Sequence, residues 1–435
     1  MLRIKFFLTV VLSMFLLKGN AQDTLMIREA IEAALKNNYT IIIARNDALV
    51  AKKNNTPGNA GFLPDVSANF AQTNNINDTK QQFFNGEIRE GSNVKANSLN
   101  ANIQMNWTVF DGLSMFTNQE RLKEFELIGE LNARIQIENA VSQVIATYYN
   151  IVQQQRRIEA LKNVIEISSE RKRIAEEKLR IGSGSGLESL QATVDLNTDS
   201  AALLRQEYNI IISKSVLNEL LSRAPETSFS VSDKILMEEN LKYEELSQKV
   251  AEQNPEVLLA RRNTNIAALN LKQTRSSYLP SISLNSGYNF SNSESELGLL
   301  RVSQNKGINY GLTASWTLFN GFNNRRVRQI TQIELHNQET VRQQAELGIK
   351  SDFYRIYTDY ITSISLLKIE NRNLKAAEQN LLVATERMRL GTINALELRE
   401  AQRNLIDAEF RLIMAEYEAK LAETELLRLS GQLMK

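Results

Sequence analysis

The chain says the same thing twice. Trp107-Thr-Val-Phe-Asp-Gly112 returns 209 residues later as Trp316-Thr-Leu-Phe-Asn-Gly321, and these segments hold its only two tryptophans. At the same offset Lys178-Leu-Arg-Ile-Gly182 returns as Arg387-Met-Arg-Leu-Gly391, and Leu187-Glu188 as Leu396-Glu397. Phe62-Leu-Pro64 matches Tyr278-Leu-Pro280 at an offset of 216, so the first copy carries seven extra residues between its Pro and its Trp. A tandem duplication makes each copy one structural unit that must pack as the equivalent of the other.

Within each copy one stretch is unusually long and unbroken. Residues 112–181 and 321–390 contain no proline and one internal glycine each, Gly129 and Gly348. Apolar residues recur every seventh position: Ile137, Val144, Ile151, Ile158, Ile165 and Leu179 in the first, and Phe353, Tyr360, Leu367, Leu374, Leu381 and Met388 in the second. That beat predicts helices of roughly 105 Å, packed in coiled-coil fashion. Each ends at a glycine-bearing turn, Gly182-Ser-Gly-Ser-Gly186 or Gly391-Thr-Ile-Asn394, suited to a tight reversal. Leu196, Leu203, Ile210 and Leu217, and then Leu398, Leu405, Leu412 and Leu426, mark the heptads of shorter return helices. Segments from Asp23 to about Lys53 and from about Tyr243 to Gln273 have helical spacing and equivalent Asn37-Asn-Tyr and Gln253-Asn-Pro turns; they are expected to cover the other half of each long helix.

Between the Pro and Trp landmarks the period falls to two. Leu99, Ala101, Ile103, Met105, Trp107 and Val109 alternate with Asn100, Asn102, Gln104, Asn106 and Thr108; Ile308, Tyr310, Leu312, Ala314, Trp316 and Leu318 alternate with Asn309, Gly311, Thr313, Ser315 and Thr317. Such alternation fits a half-buried soluble sheet or a membrane barrel wet on the inside. An uncharged polar side, strands of about 10–12 residues and aromatics at equivalent strand ends (Trp107, Phe110, Trp316, Phe319) favour the barrel. Four strands cannot close, and an open edge in lipid leaves backbone groups unsatisfied. Two copies would supply eight strands and three would supply twelve. Charged helices must then project into the periplasm.

Residues 1–21 read as a secretory signal: Arg3 and Lys5, an apolar run Phe6 to Leu17, and Gly19-Asn20-Ala21 before the cut. Its removal leaves 48 basic and 50 acidic residues, giving no electrostatic reason to expect nucleic acid. With no cysteine and a single histidine, His336, neither a thiolate or His-based metal set nor a nucleophilic triad can be assembled; no cofactor and no enzymatic activity are expected. The expected boundaries are a first repeat, 22–224 (helix, hairpin 62–110, long helix 112–181, return helix 187–223), a linker, 225–240, and a second repeat, 241–435 (helix, hairpin 279–319, long helix 321–390, return helix 395–430). The fold class is a mixed, mostly α membrane protein with four transmembrane strands per chain and long antiparallel periplasmic helices.

In their order and repetition, the Leu-Pro strand starts, the Trp-x-x-Phe-Asp/Asn-Gly junctions and the Arg-Ile/Leu-Gly…Leu-Glu turns resemble the TolC family of outer-membrane channels over the whole mature chain. The resemblance implies a homotrimer whose twelve-stranded barrel continues into a periplasmic α-helical barrel. It implies an exit duct, in drug efflux or type I protein secretion, for inner-membrane transporters working through a periplasmic adaptor. In the family the second turn narrows the periplasmic end, and acidic residues just after it ring the pore. Matched from Gly391, those positions fall on Glu397 and Glu400. In the first copy Glu188 persists, but Gln191 replaces the second acid, and Ile393 stands where a basic residue helps hold some relatives closed. Gly182, Gly184, Gly186, Gly391 and Thr392 serve turn geometry, with adaptor contact near them implied by the family. The alternative is a soluble periplasmic coiled-coil adaptor or scaffold, which explains heptads and export but not the duplicated strands.

Overall fold

The computed structural model describes residues 24–434 apart from 233, 236, 239 and 240; the expected signal peptide lies outside them. In the first repeat β1 (Thr24–Leu25) leads into α1 (Ile27–Asn37), α2 (Tyr39–Asn54) and the single turn α3 (Pro57–Ala60). A hairpin of β2 (Asp65–Gln82) and β3 (Ile88–Asp111) follows, then α4 (Ser114–Arg180) and α5 (Gly186–Leu220). After β4 (Ser230–Val231) the second repeat runs α6 (Tyr243–Gln253), α7 (Pro255–Gln273), a 3-10 turn, β5 (Ser281–Ser295), β6 (Val302–Ser315), α8 (Asn323–Arg389) and α9 (Ala395–Leu429). Both long helices have 67 residues and both return helices 35, with the ends of each pair displaced by the same 209 positions as the sequence landmarks.

The Asn turns are built alike. Asn38 is extended (φ −61°, ψ 125°), which ends α1. Its Oδ1 accepts from the Ile41 amide at 3.2 Å and so caps α2, while its Nδ2 donates to the Leu220 carbonyl at the end of α5, at 2.8 Å. Asn254 repeats this with the Val257 amide (3.1 Å) and the Leu429 carbonyl (3.0 Å). One buried side chain thus breaks a helix, starts the next and satisfies an orphan carbonyl of a third.

The chain divides into two compact units. The helical unit comprises the chain up to Asn46, Leu131–Leu258 and Gln344–Lys435. It holds two cores that are repeat equivalents. Val141, Val144, Tyr148 and Ile151 of α4 pack with Ala30, Ala34, Leu217 and Leu221, and Phe353, Ile356 and Tyr360 of α8 pack with Leu246, Val250, Leu426 and Leu429. Tyr148 and Tyr360 are almost fully buried, yet their hydroxyls donate to the carbonyls of Leu25 (2.8 Å) and Glu238 (2.6 Å), so burial leaves no donor unpaired. The heptad expectation holds at Val144, Ile151, Phe353 and Tyr360. In α4 the buried stripe then shifts to Leu161, Ser168 and Ala175, and Leu179 is exposed. A helix near 3.6 residues per turn drifts from a strict seven-residue repeat.

The second unit comprises Asp47–Glu130 and Leu259–Gln343 and carries a four-stranded antiparallel sheet in the order β2-β3-β5-β6. The strands are longer than expected: 18, 24, 15 and 14 residues. Beyond Ala96 only β2 pairs with β3, continuing past a bulge at Asn77/Thr79 to Gln82↔Ile88. The period-two pattern marks only the part with an apolar face, whereas backbone pairing runs on through polar residues. Trp316 falls one residue past β6, while Trp107 lies inside β3. In the linker, β4 pairs in parallel with β1, and Phe229 and Val231 join the first core; two-residue strands carry no periodicity to read.

Candidate functional site

The sheet has two chemically opposite faces. Opposed residues share a side, so the register builds mainly apolar rows, interrupted only by Ser286 and by Lys306 in the last: Phe110–Ile282–Ala314, Trp107–Leu284–Leu312, Met105–Ser286–Tyr310 with Val66, Ile103–Tyr288–Ile308 with Ala68, and Ala101–Phe290–Lys306 with Phe70. The next row, Gln72–Leu99–Asn292–Gln304, is mainly polar. From Ile282 to Phe290 the band spans about 27–30 Å along the strand at roughly 3.3 Å per residue. At a tilt of about 35–45° this becomes a little over 20 Å, close to the lipid-facing band of an outer-membrane barrel. A bulge at Thr108/Phe110 brings Phe110, not Val109, opposite Ile282.

The other face is lined with amides and hydroxyls bonded to one another. Asn69 Nδ2 donates to Asn102 Oδ1 at 3.0 Å, Asn289 Nδ2 to Asn309 Oδ1 at 2.7 Å, Asn285 Nδ2 to Thr313 Oγ1 at 3.1 Å, and Ser291 Oγ to Asn100 Oδ1 at 2.8 Å. Short uncharged side chains that bond sideways make this face polar and even, with no charge among the bonded groups.

The tryptophans have a local role as well as an exposed ring. Trp107 Nε1 donates to the Phe62 carbonyl at 2.9 Å and Trp316 Nε1 to the Tyr278 carbonyl at 3.1 Å, each clamping the end of a hairpin to its own Leu-Pro start. Phe110 is half-buried; Phe319 is exposed and packs edge-on to Phe322 at 5.4 Å. The following residues turn the chain from strand to helix through left-handed backbone: Gly112 and Leu113 (φ 69° and 70°), and Gly321 and Phe322 (66° and 61°).

At the helix tips, Gly182 and Gly391 both have φ 75°. Each ends its long helix in a Schellman turn. The Ser183 amide reaches the Lys178 carbonyl at 2.9 Å, and the Thr392 amide the Arg387 carbonyl, also at 2.9 Å. The Thr392 hydroxyl adds a second bond to Arg387 at 3.0 Å. A Cβ on Gly184 would sit 2.7 Å from Lys178 Cβ, whereas Gly186 has open space around it. Ile181, Leu187, Leu190, Leu390 and Leu396 stand exposed about these turns.

Glu397 closes a capping box with Asn394: its amide donates to Asn394 Oδ1 at 3.0 Å, and its carboxylate faces the Asn394 amide at 3.5 Å. It therefore starts α9 as well as presenting charge. Glu400 is exposed one turn on, and Glu188 is half-buried in the first turn of α5.

Between these tips and the cores lies an ionic cluster that composition could not reveal. Arg399 of α9 binds Asp199 of α5 through both Nη atoms (3.2 and 3.3 Å) and approaches Asp195 at 3.7 Å. Arg171 of α4 pairs with Asp195 and reaches Gln402 Oε1 at 3.5 Å, while Ser168 Oγ donates to Asp199 Oδ2 at 2.5 Å. All four charged side chains are at most 16% exposed. Their repeat equivalents, Leu190, Asn404, Ala408 and Asn380, cannot form it. A position-by-position comparison of the repeats is the signal that would have found it.

No helix among the described residues is long and apolar enough to cross a membrane. The profile of the family described as "Outer membrane efflux protein" matches residues 30–223 and 246–432, one block in each repeat. The outer membrane efflux protein BepC of Brucella suis biovar 1 (strain 1330) is 21% identical, the alignment taking in 98% of this chain and 89% of that protein. The CmeC outer membrane channel of Campylobacter jejuni has the same fold, with a TM-score of 0.79 at 16% identity over 94% of this chain and 86% of CmeC. VceC of Vibrio cholerae matches with a TM-score of 0.76 at 15% identity over 93% and 96% of the two chains. With the profile met in both repeats and the sheet and helices arranged as in these channels, the chain belongs to the outer membrane efflux protein family and resides in the outer membrane with a large periplasmic part.

Proposed function

We propose that three copies of this chain form the outer-membrane exit duct of a tripartite exporter. Substrate would be delivered from an inner-membrane transporter through a periplasmic adaptor. The observation that carries this reading is the sheet: apolar on one side, amide-lined on the other, with β2 and β6 as free edges. In lipid those edges must be paired, and β6 of one copy beside β2 of the next continues the antiparallel order. The helices support the same assembly. Tyr417 packs half-buried against the first core, while its repeat equivalent Tyr208 is 63% exposed, in a seam with Leu190, Val194, Leu204 and Ile211 that a neighbour would cover. The exposed apolar side chains about the tips suit an adaptor's helical ends.

The acids Glu397 and Glu400 would line the periplasmic aperture, six carboxylates in three copies, attracting cations to a narrow passage. An adaptor or scaffold would have no use for a sheet with one lipid-compatible face. The test is native mass measurement in detergent together with conductance in planar bilayers. A trimer with cation-selective channels is expected. A monomer that retains its β content would overturn the reading.

A further inference from the structure

We infer that the helical seam between neighbouring copies, beside the sheet, repeats the seam between α4 and α7 with its ion pairs lost and its Asn265–Glu124 contact made apolar, Leu49 of one copy meeting Ile333 of the next. The inference rests on the multi-copy reading above and goes beyond it by naming the surface and its chemistry.

Within one chain α7 of the second repeat lies along α4 of the first through polar contacts. Lys272 Nζ meets Glu120 at 2.7 Å, Arg262 Nη1 meets Glu124 at 3.4 Å, and Asn265 Nδ2 donates to Glu124 Oε1 at 3.3 Å. At the end of that seam, a Cβ on Gly112 would sit 2.6 Å from the Ser276 carbonyl and 3.0 Å from Leu279 Cβ, so the turn fits against its neighbour only as glycine. The duplication provides a second α4-like surface, on α8, and a second α7-like helix, α2. Carried across by the repeat offsets, Glu120, Glu124 and Gly112 become Gln329, Ile333 and Gly321, while Asn265 and Leu279 become Leu49 and Leu63; Lys272 and Arg262 become the uncharged Thr56 and Asn46, so no ion pair is carried over.

These counterparts lack the neighbours that their equivalents have. Ile333 is 61% exposed, Leu49 52% and Leu63 62%, against 43% for Leu279. Gly321 has nothing within 4 Å of where its Cβ would point. Ile330, the counterpart of Arg121, is exposed as well. The chemical swap has a reason. The α4–α7 seam joins parts of one tethered chain, so half-solvated ion pairs of little net strength suffice. A seam between separate molecules must offset the loss of free translation and rotation, which apolar burial does better.

The chain has no cysteine, so thiols can be placed cleanly. In the full-length protein, purified in detergent, Leu49→Cys with Ile333→Cys and a short bis-maleimide should give covalent products of two and three chain masses. Asn265→Cys with Glu124→Cys should cross-link only within one chain. Separately, Ile333→Glu should lower the oligomer fraction at least tenfold, and adding Leu49→Lys should restore an oligomer that now dissociates in high salt. An intact wild-type trimer with no intermolecular product, or with Ile333→Glu as oligomeric as wild type, overturns this seam and leaves the channel reading standing. A monomeric wild type overturns both.

Discussion

Arg399 and Asp199, 200 residues apart, form a two-pronged ion pair that ties the second return helix to the first, Nη1 to Oδ2 at 3.2 Å and Nη2 to Oδ1 at 3.3 Å. Asp199 also accepts from Ser168, so one carboxylate joins α4, α5 and α9. With both side chains largely shielded, removing one partner strands the other. Arg399→Ala is expected to cost about 3–5 kcal/mol locally. A double-mutant cycle with Asp199→Ala should return much of it as coupling. Hydrogen exchange should quicken in 187–200 and 395–408; unchanged exchange in both segments would refute the clamp.

The indole bonds are separable because the chain has two tryptophans, one per repeat. Trp107→Phe and Trp316→Phe each delete one N–H to a backbone carbonyl while keeping an aromatic ring. Each should cost about 0.5–1.5 kcal/mol, and the remaining tryptophan reports unfolding by fluorescence. Equal stability of both variants and wild type would show that these bonds are incidental.

The tip glycines should divide by backbone conformation. Gly182→Ala and Gly391→Ala force an L side chain to φ 75° and should each lose about 1 kcal/mol. Gly186→Ala, inside the first turn of α5 with open space around it, should be neutral or slightly stabilising. Thermal melts of the three variants check the order.

The two aperture acids can be told apart. Glu397→Gln keeps a side chain able to complete the capping box, and Glu400→Gln touches no bond seen in the protomer. Both variants should fold as wild type, and the double variant should lose cation selectivity in bilayers. Unaltered selectivity would move the pore charge elsewhere.

Stability should also depend on pH through Glu409. Burial, reinforced by the nearby Glu378 carboxylate, raises its carboxyl above the usual range. The folded chain therefore holds this proton more tightly than the unfolded one. The resulting stabilisation is complete below the ordinary carboxylate range, about pH 4, and is lost as pH rises through the raised value. Glu409→Gln should be more stable than wild type at neutral pH, with the gain vanishing in acid. A pH-independent difference would refute this origin.

Much of the architecture was legible beforehand because it follows from periodicity and repetition. The 209-residue offset recurs at the ends of all four long and return helices. The seven-residue beat found Val144, Ile151, Phe353 and Tyr360 in the cores. Alternation found both faces of the sheet. Strand length was underestimated because hydrogen bonding continues where side chains no longer alternate, and the β1–β4 pair was missed because two residues carry no period. The place of Glu397 just past the second turn follows from its spacing to Gly391, but its capping bond to Asn394 depends on how that turn folds.

The sequence by itself determined the long helices, the four strands of the sheet though not their full length, and which faces are apolar, because these depend on residues close together along the backbone; the repeated landmarks showed that the chain is built twice. The tertiary structure decided how the repeats differ. Arg171, Asp195, Asp199 and Arg399 meet only after three helices converge, and each indole finds its carbonyl only when a hairpin closes. Such contacts depend on direction and distance between parts of the chain remote in sequence, and local pattern carries neither.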